Sequence, residues 1–86
     1  MYYIYILKSC KFSDKLYIGY TNNIVRRLKE HNSGESLHTN KYKPWKITYL
    51  EGYANQDDAR EREKQIKHFG KTYKQLKRKI ERSLRS

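Results

Sequence analysis

The chain opens on an unbroken apolar run, residues 2–7. Residues 2–8, YYIYILK, are aromatic and β-branched and predict a strand with Tyr3, Tyr5 and Leu7 on one face and Tyr2, Ile4 and Ile6 on the other. After the polar loop SCKFSDK, residues 16–20 (LYIGY) predict a second strand, with Tyr17 and Gly19 facing one way and Ile18 the other. The short loop between them predicts a hairpin. The period then changes. In TNN, Thr21 or Asn22 is placed to cap a helix from about residue 23 to 32, whose stripe is Ile24, Leu28 and His31 at i, i+4 and i+7. Gly34 closes it, and residues 33–45 form a polar loop ending in Pro44-Trp45. In WKITYLEGY, residues 45–53, Trp45, Ile47 and Tyr49 alternate with Lys46, Thr48 and Leu50 and predict a third strand. Asn55 caps a second helix with Asp57 and Asp58 in its first turn; it runs to about Phe69, where Gly70 is expected to end it. A third helix covers about residues 72–84, with Tyr73, Leu76, Ile80 and Leu84 as its apolar stripe. The order is β-β-α-β-α-α. It predicts an α+β fold: a three-stranded sheet of antiparallel type flanked by three helices. No repeat or long linker divides the chain, so residues 1–86 are expected to form one domain, with residues 71–86 as a basic C-terminal helix.

Charge changes this picture. The net charge is +11, and residues 60–86 alone hold 11 Lys/Arg against 3 Glu. A solvated helical face accounts for some of that. A polyanionic partner, most simply nucleic acid, accounts for its concentration in one third of the chain. Cys10 is the only cysteine, which rules out an internal disulfide and the usual cysteine-spaced zinc sites and suits a reducing cytoplasm. The apolar opening after Met1 is six residues long, so neither a signal peptide nor a membrane span is expected there.

Several residues fit a plain structural role poorly. His31 sits in an apolar helical stripe, either as a satisfied core histidine or as a site residue. Arg27 flanks that stripe one turn earlier, on a solvated face or toward a ligand. Both follow directly on Tyr17-Ile18-Gly19, where a residue without a side chain lets backbone or ligand approach closely. The N-terminus of the intervening helix favours an anion. Glu63 borders the buried stripe of Ala59, Ile66 and Phe69, while Glu61 points away; Glu63 is half of a salt bridge or a metal ligand, and Arg62 borders the same stripe on its other side. Tyr3 and Tyr5 read equally well as core.

Taken in this order, the segments resemble the GIY-YIG nuclease family, in particular its small single-domain bacterial branch. The first triplet is Tyr3-Ile4-Tyr5, with tyrosine replacing glycine, and the second is Tyr17-Ile18-Gly19. TNNIVRRLKEHN is similar to the family's helix with an arginine and a histidine one turn apart. HTNKYKPWKITYLEGY and AREREKQIK are similar to its third-strand segment and its glutamate helix. The resemblance spans residues 2 to about 70 and implies a metal-dependent endonuclease acting on DNA. Tyr5 and Tyr17 would flank the attacking water, Arg27 would hold the scissile phosphate, and His31 would share the proton work or orient a tyrosine. Glu63 would bind a single divalent ion, Mg²⁺ or Mn²⁺. Either Tyr17 or His31 is the general base: tyrosine has a reference pKa of about 10 and histidine of about 6.5. Gln75 is the nearest match to a polar group that many members carry late in the domain. Lys64, Lys67, Lys71 and Lys74 are expected to contact the nucleic-acid backbone, which gives affinity without sequence choice. Specificity is then expected from DNA shape, a protein partner or a second copy of the chain. The alternative is a non-catalytic nucleic-acid-binding module on the same fold.

Overall fold

The computed structural model describes residues 1–86. β1 (Tyr2–Ser9) and β2 (Leu16–Thr21) form the hairpin, followed by α1 (Ile24–Ser33), a 3-10 turn at Asn40–Tyr42, β3 (Trp45–Tyr53), α2 (Gln56–His68), α3 (Gly70–Lys79) and α4 (Glu81–Arg85). β1 lies between the other two strands, and both pairings are antiparallel. Its composition explains that position. A strand with large side chains on both faces needs cover on both. Ile4, Ile6 and Leu7 are fully buried and Tyr5 is 1% exposed. On one face Ile4 and Ile6 pack against Ala59 and Ile66 of α2, and against Leu76 and Ile80 at and beyond α3. On the other, Tyr5 and Leu7 pack with Trp45, Tyr17, Ile24 and Leu28, beneath α1. Each such burial stabilises by roughly 1.5–3 kcal/mol.

The sheet and the helix order agree with the expectation from sequence, and the differences are local. Asn23, not Thr21 or Asn22, caps α1: its side chain accepts from the Arg26 amide at 3.1 Å. Thr21 is buried and holds the turn instead, accepting from the Asn23 amide at 3.1 Å. Gly34 ends α1 in the left-handed region, at φ 82°. The alternation expected along β3 breaks at a bulge between Ile47 and Tyr49. Ile47 pairs with Leu7 and Tyr49 with Ile6, so the two side chains face opposite sides of the sheet. The intervening Thr48 donates its hydroxyl to the Ile6 carbonyl at 3.0 Å.

Gly70 does not end α2. Phe69, with extended backbone at φ −117° and ψ 99°, ends α2 and precedes α3, and Gly70 is the first residue of α3. The third helix also divides at Ile80, whose φ of −107° and ψ of 23° leave the helical region. The apolar stripe survives the break, because Tyr73, Leu76, Ile80 and Leu84 all meet the Ile4/Ile6 core. The bend carries α4 to the far end of the sheet, where the Lys8 ammonium donates to the Leu84 carbonyl.

A half-buried ionic knot fastens α2 to β3. The Glu51 carboxylate receives Arg62 Nε at 3.0 and 3.1 Å, the Tyr49 hydroxyl at 2.7 Å and the Tyr53 hydroxyl at 2.5 Å. Arg62 therefore has a structural partner on the sheet, whereas its helical neighbour Glu63 pairs within its own helix, with Lys67.

Candidate active site

β1 and β2 place Tyr5 and Gly19 directly opposite each other. The Tyr5 ring fills the space a side chain at position 19 would need: an added Cβ would lie 2.3 Å from its Cζ and hydroxyl oxygen. The close approach expected at Gly19 is thus made by a neighbouring tyrosine. An aromatic ring covering a cross-strand glycine also pins the register.

The Tyr5 hydroxyl lies 3.0 Å from His31 Nε2, and His31 Nδ1 lies 2.8 Å from Thr39 Oγ1. His31 is fully buried and Thr39 is 1% exposed. The Thr39 hydroxyl donates to the Ser36 carbonyl at 3.5 Å. Its oxygen is then free to accept from Nδ1–H, which leaves Nε2 to accept the Tyr5 proton. This assigns a neutral imidazole with its proton on Nδ1. The electrostatics agree. Burial pushes the His31 pKa below its ordinary value, and the Arg27 charge adds to that, against a smaller upward pull from Glu30. Burial pushes the Tyr5 phenol up to about 12; Arg27 opposes this by hydrogen bonding and charge, while Tyr17 and Glu63 reinforce it. Tyr5 is therefore a protonated donor at neutral pH.

Tyr17 is half-buried, with its ring 4.8 Å from the His31 ring and 6.3 Å from that of Tyr5. It is the most accessible member of this aromatic group. Arg27 donates to Glu30 Oε1 at 2.8 Å, and Glu30 Oε2 lies 3.4 Å from Arg26 Nε. Glu30 holds the Arg27 pKa above its ordinary value, with Tyr5 and Tyr17 contributing in the same direction. Glu63, on α2, forms an ion pair with Lys67 at 3.1 Å.

Tyr5, Tyr17, Arg27 and His31 therefore meet in one cluster, and Glu63 lies within electrostatic reach of Tyr5. Thr39 and Glu30 complete the arrangement without having been singled out from sequence. Thr39 comes from the loop after α1, and only the fold brings it to His31. The i, i+3 spacing of Arg27 and Glu30 was visible as a helical ion pair. Lys64, Lys71, Lys74 and Gln75 are exposed on α2 and α3, the helices that cover the Ile4/Ile6 face. None of these four forms a hydrogen bond or ion pair with the cluster.

Residues 1–79 match the family model described as the GIY-YIG catalytic domain. The chain belongs to the GIY-YIG family. It is 41% identical over 75 residues to a UPF0213 protein of Clostridium perfringens, covering 86% of this chain and 78% of that one. A UPF0213 protein of Staphylococcus haemolyticus is 36% identical over 74 residues, covering 85% and 88% of the two chains. A third, from Syntrophus aciditrophicus, is 41% identical over 75 residues, covering 84% and 83%. No solved structure matches the chain. The two signature triplets of this GIY-YIG chain lie on adjacent strands, which is how Tyr5 comes to face Gly19.

A divalent ion can be tested against the donors present. No group of three His, Cys, Asp or Glu side chains converges, so a fully protein-coordinated metal does not fit. Glu63 offers one carboxylate, 24% exposed, with Lys67 on Oε2 alone. That suits a hard ion such as Mg²⁺, which keeps most of its waters and takes one or two carboxylates together with substrate phosphate. No helix of the chain is long and apolar enough to cross a membrane.

Proposed function

We propose that the protein is a metal-dependent endonuclease that hydrolyses phosphodiester bonds in DNA. The observation that carries this reading is the buried Tyr5–His31–Thr39 hydrogen-bond chain, with Arg27 and the more accessible Tyr17 set against it.

The division of labour follows from access. His31 is fully buried with both ring nitrogens engaged, so it does not meet the attacking water. It is a positioning residue that orients Tyr5 and packs against Tyr17. Tyr17, the most accessible phenol of the cluster and reacting as its phenolate, accepts the water proton as the oxygen–phosphorus bond forms. Arg27, turned by Glu30, donates to the non-bridging phosphate oxygens and stabilises the charge that builds there. The bond to the leaving oxygen breaks, and that oxygen takes a proton from solvent. Glu63 would hold the divalent ion, which supplies charge stabilisation for the leaving oxygen.

The test is cleavage of labelled duplex, branched and single-stranded DNAs and one RNA, with Mg²⁺ or Mn²⁺ and with EDTA, using the parent protein and Glu63→Ala. Metal-dependent cuts by the parent that the variant loses would support the reading. Salt-sensitive binding by both proteins without any cut would replace it with a nucleic-acid-binding module.

A further inference from the structure

Beside the aromatic cluster lies a pocket of about 350 Å³, lined by Tyr20 and Thr21 at the end of β2, Asn22 just before α1, Arg26, Arg27 and Glu30 along α1, and Gln56 at the start of α2. Its basic groups are held in place. Glu30 takes Arg27 on one carboxylate oxygen and Arg26 on the other, so the two guanidinium groups share a single anchor. Across the pocket, the Tyr20 hydroxyl accepts from Gln56 Nε2 at 3.0 Å, and the Arg60 guanidinium sits over the Tyr20 ring at 5.4 Å. Tyr2 stacks on Tyr20 at 6.4 Å with the planes 6° apart. The ring is thus already occupied and serves as a shelf for Arg60 rather than as a surface for a base.

Arg26 lines this pocket and Arg60 stands over the ring of Tyr20, one of its walls; neither belongs to the group that touches the reacting atoms. Both are exposed. Arg26 makes only the longer contact to Glu30, at 3.4 Å, and its side chain is 59% exposed. Arg60 has no carboxylate partner. Planar guanidinium forks are matched to phosphate. We propose that the pocket is a second phosphate-binding subsite: Arg26 and Arg60 grip the backbone of the same nucleic-acid strand on one side of the phosphate that Arg27 holds. This rests on the nuclease reading for the role of Arg27. It places phosphate contacts on arginines of α1 and α2 that line or adjoin the pocket holding Arg27. The common Glu30 anchor turns both Arg26 and Arg27 toward the pocket.

Binding of a labelled duplex in EDTA tests the proposal without requiring any cleavage. Affinity is measured across a salt series for the parent, Arg26→Ala, Arg60→Ala and Lys11→Ala. Lys11 lies in the β1–β2 loop at the opposite end of the sheet and removes the same charge. Each arginine variant is expected to bind more weakly and to lower the slope of log K against log salt by about 0.9, while Lys11→Ala keeps the parent slope. Equal changes in all three variants would reduce the effect to overall charge and overturn the subsite. So would an unchanged slope in Arg26→Ala and Arg60→Ala. A parent that binds DNA but never cuts would sink the nuclease reading alone, and the arginine-specific slope change would still establish the subsite.

Discussion

The Tyr5 ring occupies the volume above Gly19, its cross-strand partner, so closely that an added Cβ would lie 2.3 Å from the ring. The ring cannot simply swing away, because its hydroxyl is tied to His31 inside the core. Gly19→Ala is therefore expected to destabilise the protein by about 1–3 kcal/mol, the range for overpacking a filled site. It should also detach Tyr5 from His31. Urea unfolding measures the first, and the imidazole nitrogen resonances report the second. A variant with parental stability and parental imidazole shifts would show that the close approach matters little.

His31 gives stability a dependence on pH with a defined sign. Its folded pKa is lowered, chiefly by burial and then by Arg27. Between that value and the unfolded value of about 6.5, the unfolded chain holds more protons at this position, so stability rises with pH. The contribution is complete above the unfolded value and disappears as pH falls through the folded one. His31→Gln removes the titration. The parent should lose more unfolding free energy than His31→Gln when the pH is taken from neutral down through this window. Parallel losses in the two proteins would mean that His31 is not held neutral.

The proposed mechanism gives Tyr17 and Arg27 separate roles. Tyr17→Phe removes the accessible phenol and is expected to lower cleavage turnover by about 10²–10⁴ while leaving DNA binding in EDTA near parental. Arg27→Lys keeps the charge but loses the planar fork, and a drop in turnover of about 10²–10³ is expected, the scale of losing one oriented donor. Single-turnover cleavage at saturating protein measures both. Full activity in Tyr17→Phe would move the proton-accepting role elsewhere in the cluster.

Much of this architecture is legible along the chain, and the parts that are not share a cause. β1 divides into Ile4/Ile6 and Tyr5/Leu7 faces because side-chain direction in a strand is local, and both faces found cover. The stripe Tyr73, Leu76, Ile80 and Leu84 is equally local and holds even where the helix bends at Ile80. The bulge at Thr48 is not local. It depends on the register that β1 imposes on β3, and it turns Ile47 and Tyr49 to opposite faces. Gly70 carried a strong stop signal, but Phe69 makes the turn with extended backbone, so no left-handed residue is needed. In the site, the same division separates Arg27 and His31, marked by helical spacing, from Thr39 and Arg60, which only folding brings close to His31 and Tyr20.

The Glu51–Arg62 knot is a structural debt concentrated in two residues. Burial pushes the Glu51 carboxyl up, but Arg62, Tyr53 and Tyr49 outweigh it and hold it below its ordinary value. Arg62→Met would strand that carboxylate against two tyrosines. Removing one partner of a fully buried pair costs about 3–5 kcal/mol. The Arg62 side chain is 27% exposed, so a loss nearer about 2–3 kcal/mol is expected after solvent screening. Pairing Arg62→Met with Glu51→Leu should recover much of it, which a double-mutant cycle of thermal unfolding will show. No recovery would locate the cost in lost Arg62 packing instead.

On the proposed reading, Lys67 and a divalent ion would compete for the Glu63 carboxylate. The Lys67 ammonium lies 3.1 Å from Glu63 Oε2, in an i, i+4 pair whose side chains are 41% and 24% exposed. Such a pair is weak, worth about 0.3–0.5 kcal/mol on a helix. Lys67→Ala removes that competing charge, and it should tighten Mn²⁺ binding by about two-fold. Glu63→Gln should abolish the same binding. Titration with Mn²⁺ in the absence of nucleic acid, followed by the relaxation of bulk water, measures both variants without reference to cleavage. Weaker binding in Lys67→Ala would mean that the lysine positions Glu63 for the ion rather than blocking it. Unchanged binding in Glu63→Gln would remove Glu63 as the metal ligand.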